Sequence, residues 1–384
     1  MMKRKTIVYK KAAALLVCLL LAVAAGGLCV HAEEAFDYQA QYEASGADRL
    51  YDNLPDYALE GLDKAGVDSG EFSSIAQLDP AAVLNSVMGY ASDEMNAPLA
   101  SLGMIIALLL FASVCKEGGH SLTCSMSPSV NVIISLAVGI TLVTHVVSVI
   151  NAAGDAVDTG CRFMQSFGAV FAGILIANGQ TVSAAGYSTF LFGAIDAASI
   201  CVDEIIMPML RIILALSCVS ALSENVRIDG IIRFFDKYAK WLLGFLAVII
   251  STVLSISGLL SASADSVGAR AAKFVISGSV PVVGGAVSEA YLSIKTGMAL
   301  LRNSVGAFGI IGVGYIFLPV IIRTLLWNFV AGVGESVCET LELGDVQKLM
   351  KSVSAVLSLM LGVLVFSLFL LTLGSIIVIM QRSA

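Results

Sequence analysis

Charge is scarce in this 384-residue chain: only 13% of the residues are Asp, Glu, Lys or Arg, and 58% are hydrophobic. The mean hydropathy is +0.90, whereas soluble globular domains contain about 25% charged residues. The sequence also lacks a CxxC pair, an HExxH motif, a phosphate-binding GxxxxGKS/T loop and a GxSxG elbow. These absences exclude the ordinary soluble class and the familiar hydrolase and nucleotide-binding sites. They predict a membrane protein that is not an enzyme and that binds neither cofactor nor metal.

The first 32 residues have the three parts of a secretory signal peptide. A basic stretch is followed by an apolar run over 12–28 and by a small-residue site that predicts cleavage between Ala32 and Glu33. An uncleaved first helix is the alternative.

The segment that follows, 33–95, is strongly acidic. It contains 14 Asp and Glu residues and only two basic ones, Arg49 and Lys64, a balance of 2 − 14 = −12. A cleaved signal places this segment outside the cytoplasm. Its lack of a basic face excludes nucleic acid as a partner. The segment is either a docking element or a loosely ordered spacer.

Residues 96–384 are expected to form a membrane domain of helices, so the fold class is an all-α polytopic bundle. Two of the expected segments, 163–178 and 274–290, are short or rich in Gly and either re-enter or span the membrane. The segments lie near 97–115, 130–150, 163–178, 187–202, 206–222, 241–262, 274–290, 297–314, 317–333 and 353–380.

An internal duplication connects most of these segments. Matches recur at offsets of 110 and 111, for example Pro208 with Pro319, which predicts repeats over 130–240 and 241–352 before a final helix over 353–380. Chance alignment of apolar sequence is the alternative. If the repeat is real, the two halves are related by an axis along the membrane normal.

Two amphipathic stretches, 224–240 and 335–352, follow the paired segments. Each is either a helix lying in the membrane interface or a connecting helix packed on the bundle. The basic residues of 223–240 place that loop in the cytoplasm.

The stretch from Lys273 to Ala290 is the expected centre of the bundle. It is apolar, yet it contains helix-weakening residues and ends near an acid. Such broken helices occur at the working sites of transport proteins, although small residues also simply permit close packing. The residues of this broken-helix core are Gly278, Pro281, Gly284, Gly285 and Glu289.

A few further ionisable residues lie within the apolar segments, namely Asp196, Arg211, Arg302 and Arg323. Charges at membrane depth face the bundle interior and pair. Arg211 and Arg323 each follow a proline by about one helical turn. They either line a cavity or pair structurally with Asp196 and Glu289, and Arg302 or Arg323 is the expected partner of Glu289.

The string from Ser279 to Ala290, SVPVVGGAVSEA, resembles the stage III sporulation protein AE family, as does the layout of signal, acidic segment and membrane domain. The resemblance implies a non-enzymatic subunit of a channel-like complex between mother cell and forespore that supports forespore development. Its implied location is the mother-cell membrane facing the forespore. Its implied partners are other subunits of that complex, including a secretion-type ATPase and ring-forming proteins. The alternative is an autonomous secondary transporter of a small solute or ion.

Overall fold

The computed structural model of the chain describes residues 42–43, 45–47, 49–67, 80–121, 128–222, 229–279 and 284–380. Within these residues 94% are helical and strands are absent, which confirms the all-α class. The helices are α1 Arg49–Asp52, α2 Asp56–Lys64, α3 Pro80–Ser121, α4 Pro128–Ala177, α5 Thr181–Ile200, α6 Met207–Leu222, α7 Asp229–Ser279, α8 Gly284–Thr340 and α9 Gly344–Met380.

Four helices of the described part of the chain are long and apolar enough to cross a membrane, judged by length and composition. These stretches lie in α3, α4, α8 and α9, and they are Ala81–Cys115, Ser135–Ala177, Thr296–Thr340 and Gly344–Ile377. The chain is therefore a helical bundle of the polytopic membrane class.

The described helices are longer than the apolar segments of the sequence predict. The segments 130–150 and 163–178 belong to one 50-residue helix, α4, because the polar residues between them continue the helical register. The segments 297–314 and 317–333 likewise belong to α8, which passes through Pro319. A π-helical turn, Cys201–Ile206, joins α5 directly to α6.

The two amphipathic stretches, for which an interfacial helix and a packed connecting helix are the alternatives, have different structures. Within the described residues, 229–240 forms the start of the long helix α7. The stretch 335–352 is not one helix, because the chain turns between α8 and α9, where Glu342 has a φ of 52°. Val346, Leu349 and Met350 are buried in this turn region, so the stretch packs on the bundle instead of lying in the interface.

The order of long helices is the same in the two predicted repeats. In the first, α4 precedes the continuous pair α5 and α6, and in the second α7 precedes α8. The duplication itself stays a prediction, as do the domain boundaries; α3 runs without a break across the boundary expected at residue 95.

At the centre of the bundle, α8 packs against α9, α4 and α3. A row of small residues on α8 permits this close approach. A Cβ added at Gly312 would lie 2.8 Å from the ring of Phe163 on α4, and one added at Gly309 would collide with the ring of Phe167. Both rings are fully buried. The glycines therefore set the distance between α4 and α8.

This packing predicts opposite effects for two matched substitutions in α8. Gly309→Ala should lower the melting temperature in detergent, because overpacking a dense core costs about 1–3 kcal/mol. That cost outweighs the gain of about 1 kcal/mol in helix propensity. Gly314 has no neighbour within 4 Å of an added Cβ, so Gly314→Ala should leave the melting temperature unchanged or raise it. Equal melting temperatures for the two variants would contradict the described packing.

Candidate functional site

The broken-helix core predicted from the sequence lies outside the part of the chain that can be described in detail. Helix α7 ends at Ser279 and α8 begins at Gly284. Pro281 lies outside the described residues, and so do the side chain of Glu289 and the surroundings of Gly278, Gly284 and Gly285. The cleavage site at Ala32 and Glu33 is outside them as well. The central position of this segment stays a prediction.

The predicted intramembrane charges are not equivalent in the structure. Asp196 is exposed on α5, whereas Arg302 on α8 is only 5% exposed. Arg211 donates from Nη2 to Oδ1 of Asn151 over 3.4 Å. Arg323 donates from Nη2 to Oγ of Ser148 over 3.4 Å. The two arginines that follow prolines thus contact α4 at positions three residues apart.

Arg323 has an ionic partner that the sequence analysis did not single out. Its Nε lies 3.7 Å from Oε2 of Glu94 on α3. The expected partner, Glu289, is outside the described side chains. Arg211 contacts Asn151 instead of the expected Asp196. The arginines therefore join α3, α6 and α8 to one face of α4.

That face of α4 has a continuous row of polar residues, which we call the polar stripe: Ser148, Asn151, Asp155, Asp158 and Arg162. The spacings of 3, 4, 3 and 4 residues place all five on one side of a helix. Within the stripe, Arg162 and Asp158 form an ion pair of 2.7 Å, with side chains 76% and 50% exposed.

Part of the polar stripe lies beside the most apolar parts of the bundle. A Cβ added at Gly160 of α4 would be 2.6 Å from Phe317 of α8 and 3.0 Å from Leu371 of α9. These two residues belong to the runs 303–322 and 352–380, which contain no Asp, Glu, Lys or Arg. The charges next to Gly160, Asp158 and Arg162, therefore lie on the same stretch of α4 that packs against uncharged parts of α8 and α9.

More acids lie beside the stripe. Asp196 and Asp203, from α5 and the π-helical turn, lie near Cys161 together with Asp158. Ser199 donates a hydrogen bond of 3.0 Å to Asp203. Within the described residues, no group of three or more His, Cys, Asp or Glu is placed to hold a metal ion.

Part of the acidic segment docks beside the stripe. Leu54, Ala58 and Leu62 are buried, and a Cβ added at Gly61 of α2 would lie 2.6 Å from the ring of Tyr315. The exposed face of α2 is acidic, with Asp56, Glu60 and Asp63. Residues 54–62 of this segment therefore pack on the bundle, and the choice between a docking element and a spacer stays a prediction.

Two tyrosines fix this docked helix. Tyr57 donates to the carbonyl of Ile316 over 3.4 Å. The preceding carbonyl, that of Tyr315, has no helical donor, because Pro319 lacks an N–H. Tyr90 of α3 donates to the carbonyl of Tyr57. Burial, and then the proximity of Tyr90 and Asp155, raises the pKa of Tyr57 to about 12. The phenol therefore remains a donor at neutral pH.

The polar stripe was the main feature missed from the sequence. Polar residues in 148–162 interrupt the hydropathy between the expected segments 130–150 and 163–178, although their spacing of 3 and 4 residues is the signal of a helical face. Glu94 was missed because it belongs to the acidic segment, far in sequence from the arginines.

Comparison with known proteins gives two matches to one family. The family model described as stage III sporulation protein AE matches residues 68–383. A curated relative, stage III sporulation protein AE of Bacillus subtilis (strain 168), is 25% identical over 228 residues, which cover 59% of this chain and 57% of the relative. The match thus spans less than two thirds of the relative's length. No solved structure matches the chain.

The contact between Arg323 and Glu94 predicts a rescue by charge exchange. Arg323→Glu should lower the melting temperature in detergent, because two carboxylates then face each other across α3 and α8. Adding Glu94→Arg should recover most of that loss. The two side chains are 34% and 37% exposed, so the ion pair itself contributes only about 0–1 kcal/mol to the free energy of unfolding. The informative quantity is therefore the recovery of the melting temperature in the double variant.

The matched control is Arg211→Glu, alone and with Glu94→Arg. Arg211 contacts Asn151 and not Glu94, so this double variant should show no recovery. Recovery in both double variants, or in neither, would contradict the assigned pair.

Proposed function

Because the chain belongs to the stage III sporulation protein AE family, we propose that it is a membrane subunit of a channel-like, secretion-like complex between mother cell and forespore. In this role it supports forespore development. The proposed location is the mother-cell membrane facing the forespore, as a multi-pass protein with 33–95 outside the cytoplasm. The proposed partners are ring-forming proteins and a secretion-type ATPase.

The observation that supports an assembly is the exposure of the polar stripe. A charge at the centre of a bilayer costs about 2.5–3.5 kcal/mol on insertion scales, and such residues therefore face the bundle interior or water. This chain instead leaves Asp155 and Arg162 on the open side of α4. A subunit of a larger channel complex satisfies that requirement, because neighbouring subunits can exclude lipid from the stripe.

The proposed role is not enzymatic. The resemblance brings no catalytic residues with it, and energy for transport would come from the ATPase partner or from an ion gradient. A role in sporulation as such follows from the family.

The second candidate is an autonomous secondary transporter. It is favoured by the two arginines that reach the stripe, since charged side chains at membrane depth also form solute sites in transporters. The two candidates differ in whether the purified chain acts alone.

Copurification from sporulating cells tests the proposal. A tagged copy that replaces the native protein should bring down ring-forming subunits and a secretion-type ATPase, as identified by mass spectrometry. The control is the same tag on an unrelated multi-pass protein of the same membrane. Recovery of the chain without such partners, together with solute uptake by liposomes that contain only the purified chain, would favour the transporter and contradict the proposal.

A further inference from the structure

We propose that the polar stripe lines a water-filled groove at bilayer depth, and that this groove admits small hydrophilic cations. The inference rests on the proposed channel function and deepens it, because it assigns the aqueous path to particular residues of this chain. The path runs along α4 from Ser148 to Arg162, which are 14 residues apart in the sequence. At 1.5 Å per residue this is about 21 Å, a large part of a hydrocarbon core about 30 Å thick.

Arginines from neighbouring helices reach the stripe. On one side, α8 and α3 reach it through Arg323, which contacts both Ser148 and Glu94. On the other side, α6 reaches it through Arg211, which contacts Asn151. Side chains from two directions thus converge on α4 and leave its polar face open between them. An open polar face flanked by charged side chains holds water more readily than it contacts lipid.

The docked helix α2 provides an independent reason for water at this level. Its buried face contacts α8 beside Tyr315 and Ile316, which belong to an uncharged run of α8. Its other face exposes Asp56 and Asp63, together with Glu60, which pairs with Lys64 over 2.8 Å. These carboxylates cannot be solvated by hydrocarbon. Asp155 of the stripe lies near Tyr57 of α2, so α2 and the polar stripe are neighbours on the bundle.

The groove is closed towards the start of α4. Before Ser148, the exposed residues of that helix are mainly apolar and include Leu136, Ile140 and Val147, which suits contact with lipid. The ion pair between Arg323 and Glu94 lies at this end. The structure therefore describes a vestibule that ends at an ion pair, and a continuous path would require opening at that point or completion by another subunit.

The charges of the groove favour cations. Five carboxylates and three guanidinium groups lie in or beside the stripe. Arg162 pairs with Asp158 and Arg323 with Glu94. Outside these two pairs, three carboxylates remain, Asp155, Asp196 and Asp203, and one guanidinium group, that of Arg211. Rows of acidic side chains select cations in pores.

Cysteine accessibility tests the groove. In a background in which all eight cysteines are replaced, single cysteines are introduced as Asn151→Cys, Asp155→Cys and Asp158→Cys. The matched lipid-facing control is Ile140→Cys on the same helix, which is 61% exposed on the bundle surface. The buried control is Ile150→Cys, which is 1% exposed. Each full-length variant is labelled with cationic or anionic methanethiosulfonate, in liposomes and in sporulating cells.

If the groove holds water, all three stripe cysteines should be modified about tenfold faster than the cysteine at position 140. The reason is that methanethiosulfonates react with the thiolate, which forms in water and not in hydrocarbon. The cationic reagent should react several times faster than the anionic one. Asn151→Cys removes no charge, so this variant still tests the groove if the two aspartate variants fail to fold.

Two results would overturn the inference. Stripe positions as slow as position 140 in both settings would mean that no water reaches them. Labelling in liposomes but complete protection in sporulating cells would mean that a protein partner fills the groove. Neither result bears on copurification with the channel complex, so failure of the groove and failure of the proposed function are distinguishable.

Discussion

Hydrocarbon cannot solvate a charged side chain, and this constraint explains more of the structure than any single contact. Helices α8 and α9 provide uncharged runs long enough for a bilayer. Against them lies a helix, α4, whose open face has an ion pair, Asp158 with Arg162, and further polar groups, two of which accept hydrogen bonds from arginines. The bundle is therefore stable in a membrane only if something other than lipid covers that face. Both the proposed assembly and the proposed groove follow from this requirement.

The packing that places the stripe beside these uncharged helices depends on small residues. Glycines on α8 receive the rings of Phe163 and Phe167 from α4, and Gly160 of α4 receives Phe317 and Leu371. These contacts fix both the distance and the relative height of the helices. Because the aromatic face of α4 points inward, its polar face must point outward. The same α8 surface near Gly312 also accepts Leu54, so the acidic segment and the stripe are held on neighbouring sides.

The general features of the molecule were predictable from composition, and the site was predictable only in part. Scarce charge predicted an all-α membrane bundle, and the Pro-Arg spacing found Arg211 and Arg323, both of which reach the stripe. Hydropathy divided α4 into two segments, because the local average falls wherever polar residues occur. It does not show that these residues all lie on one face of a continuous helix. Glu94 could not be found, since pairing with a residue 229 positions away depends on tertiary packing. Nothing in the local sequence shows which arginine meets which partner.

The most direct measurement is the depth and water accessibility of a spin label attached at position 155, in the full chain reconstituted in lipid bilayers. Collision rates with oxygen, which concentrates in hydrocarbon, and with a water-soluble nickel complex give both quantities, and a label at position 140 provides the lipid-facing reference. The account predicts that the label at 155 lies at the depth of the bilayer core, yet collides mainly with the nickel complex. A label at 155 in the headgroup region, or one that collides mainly with oxygen, would contradict it.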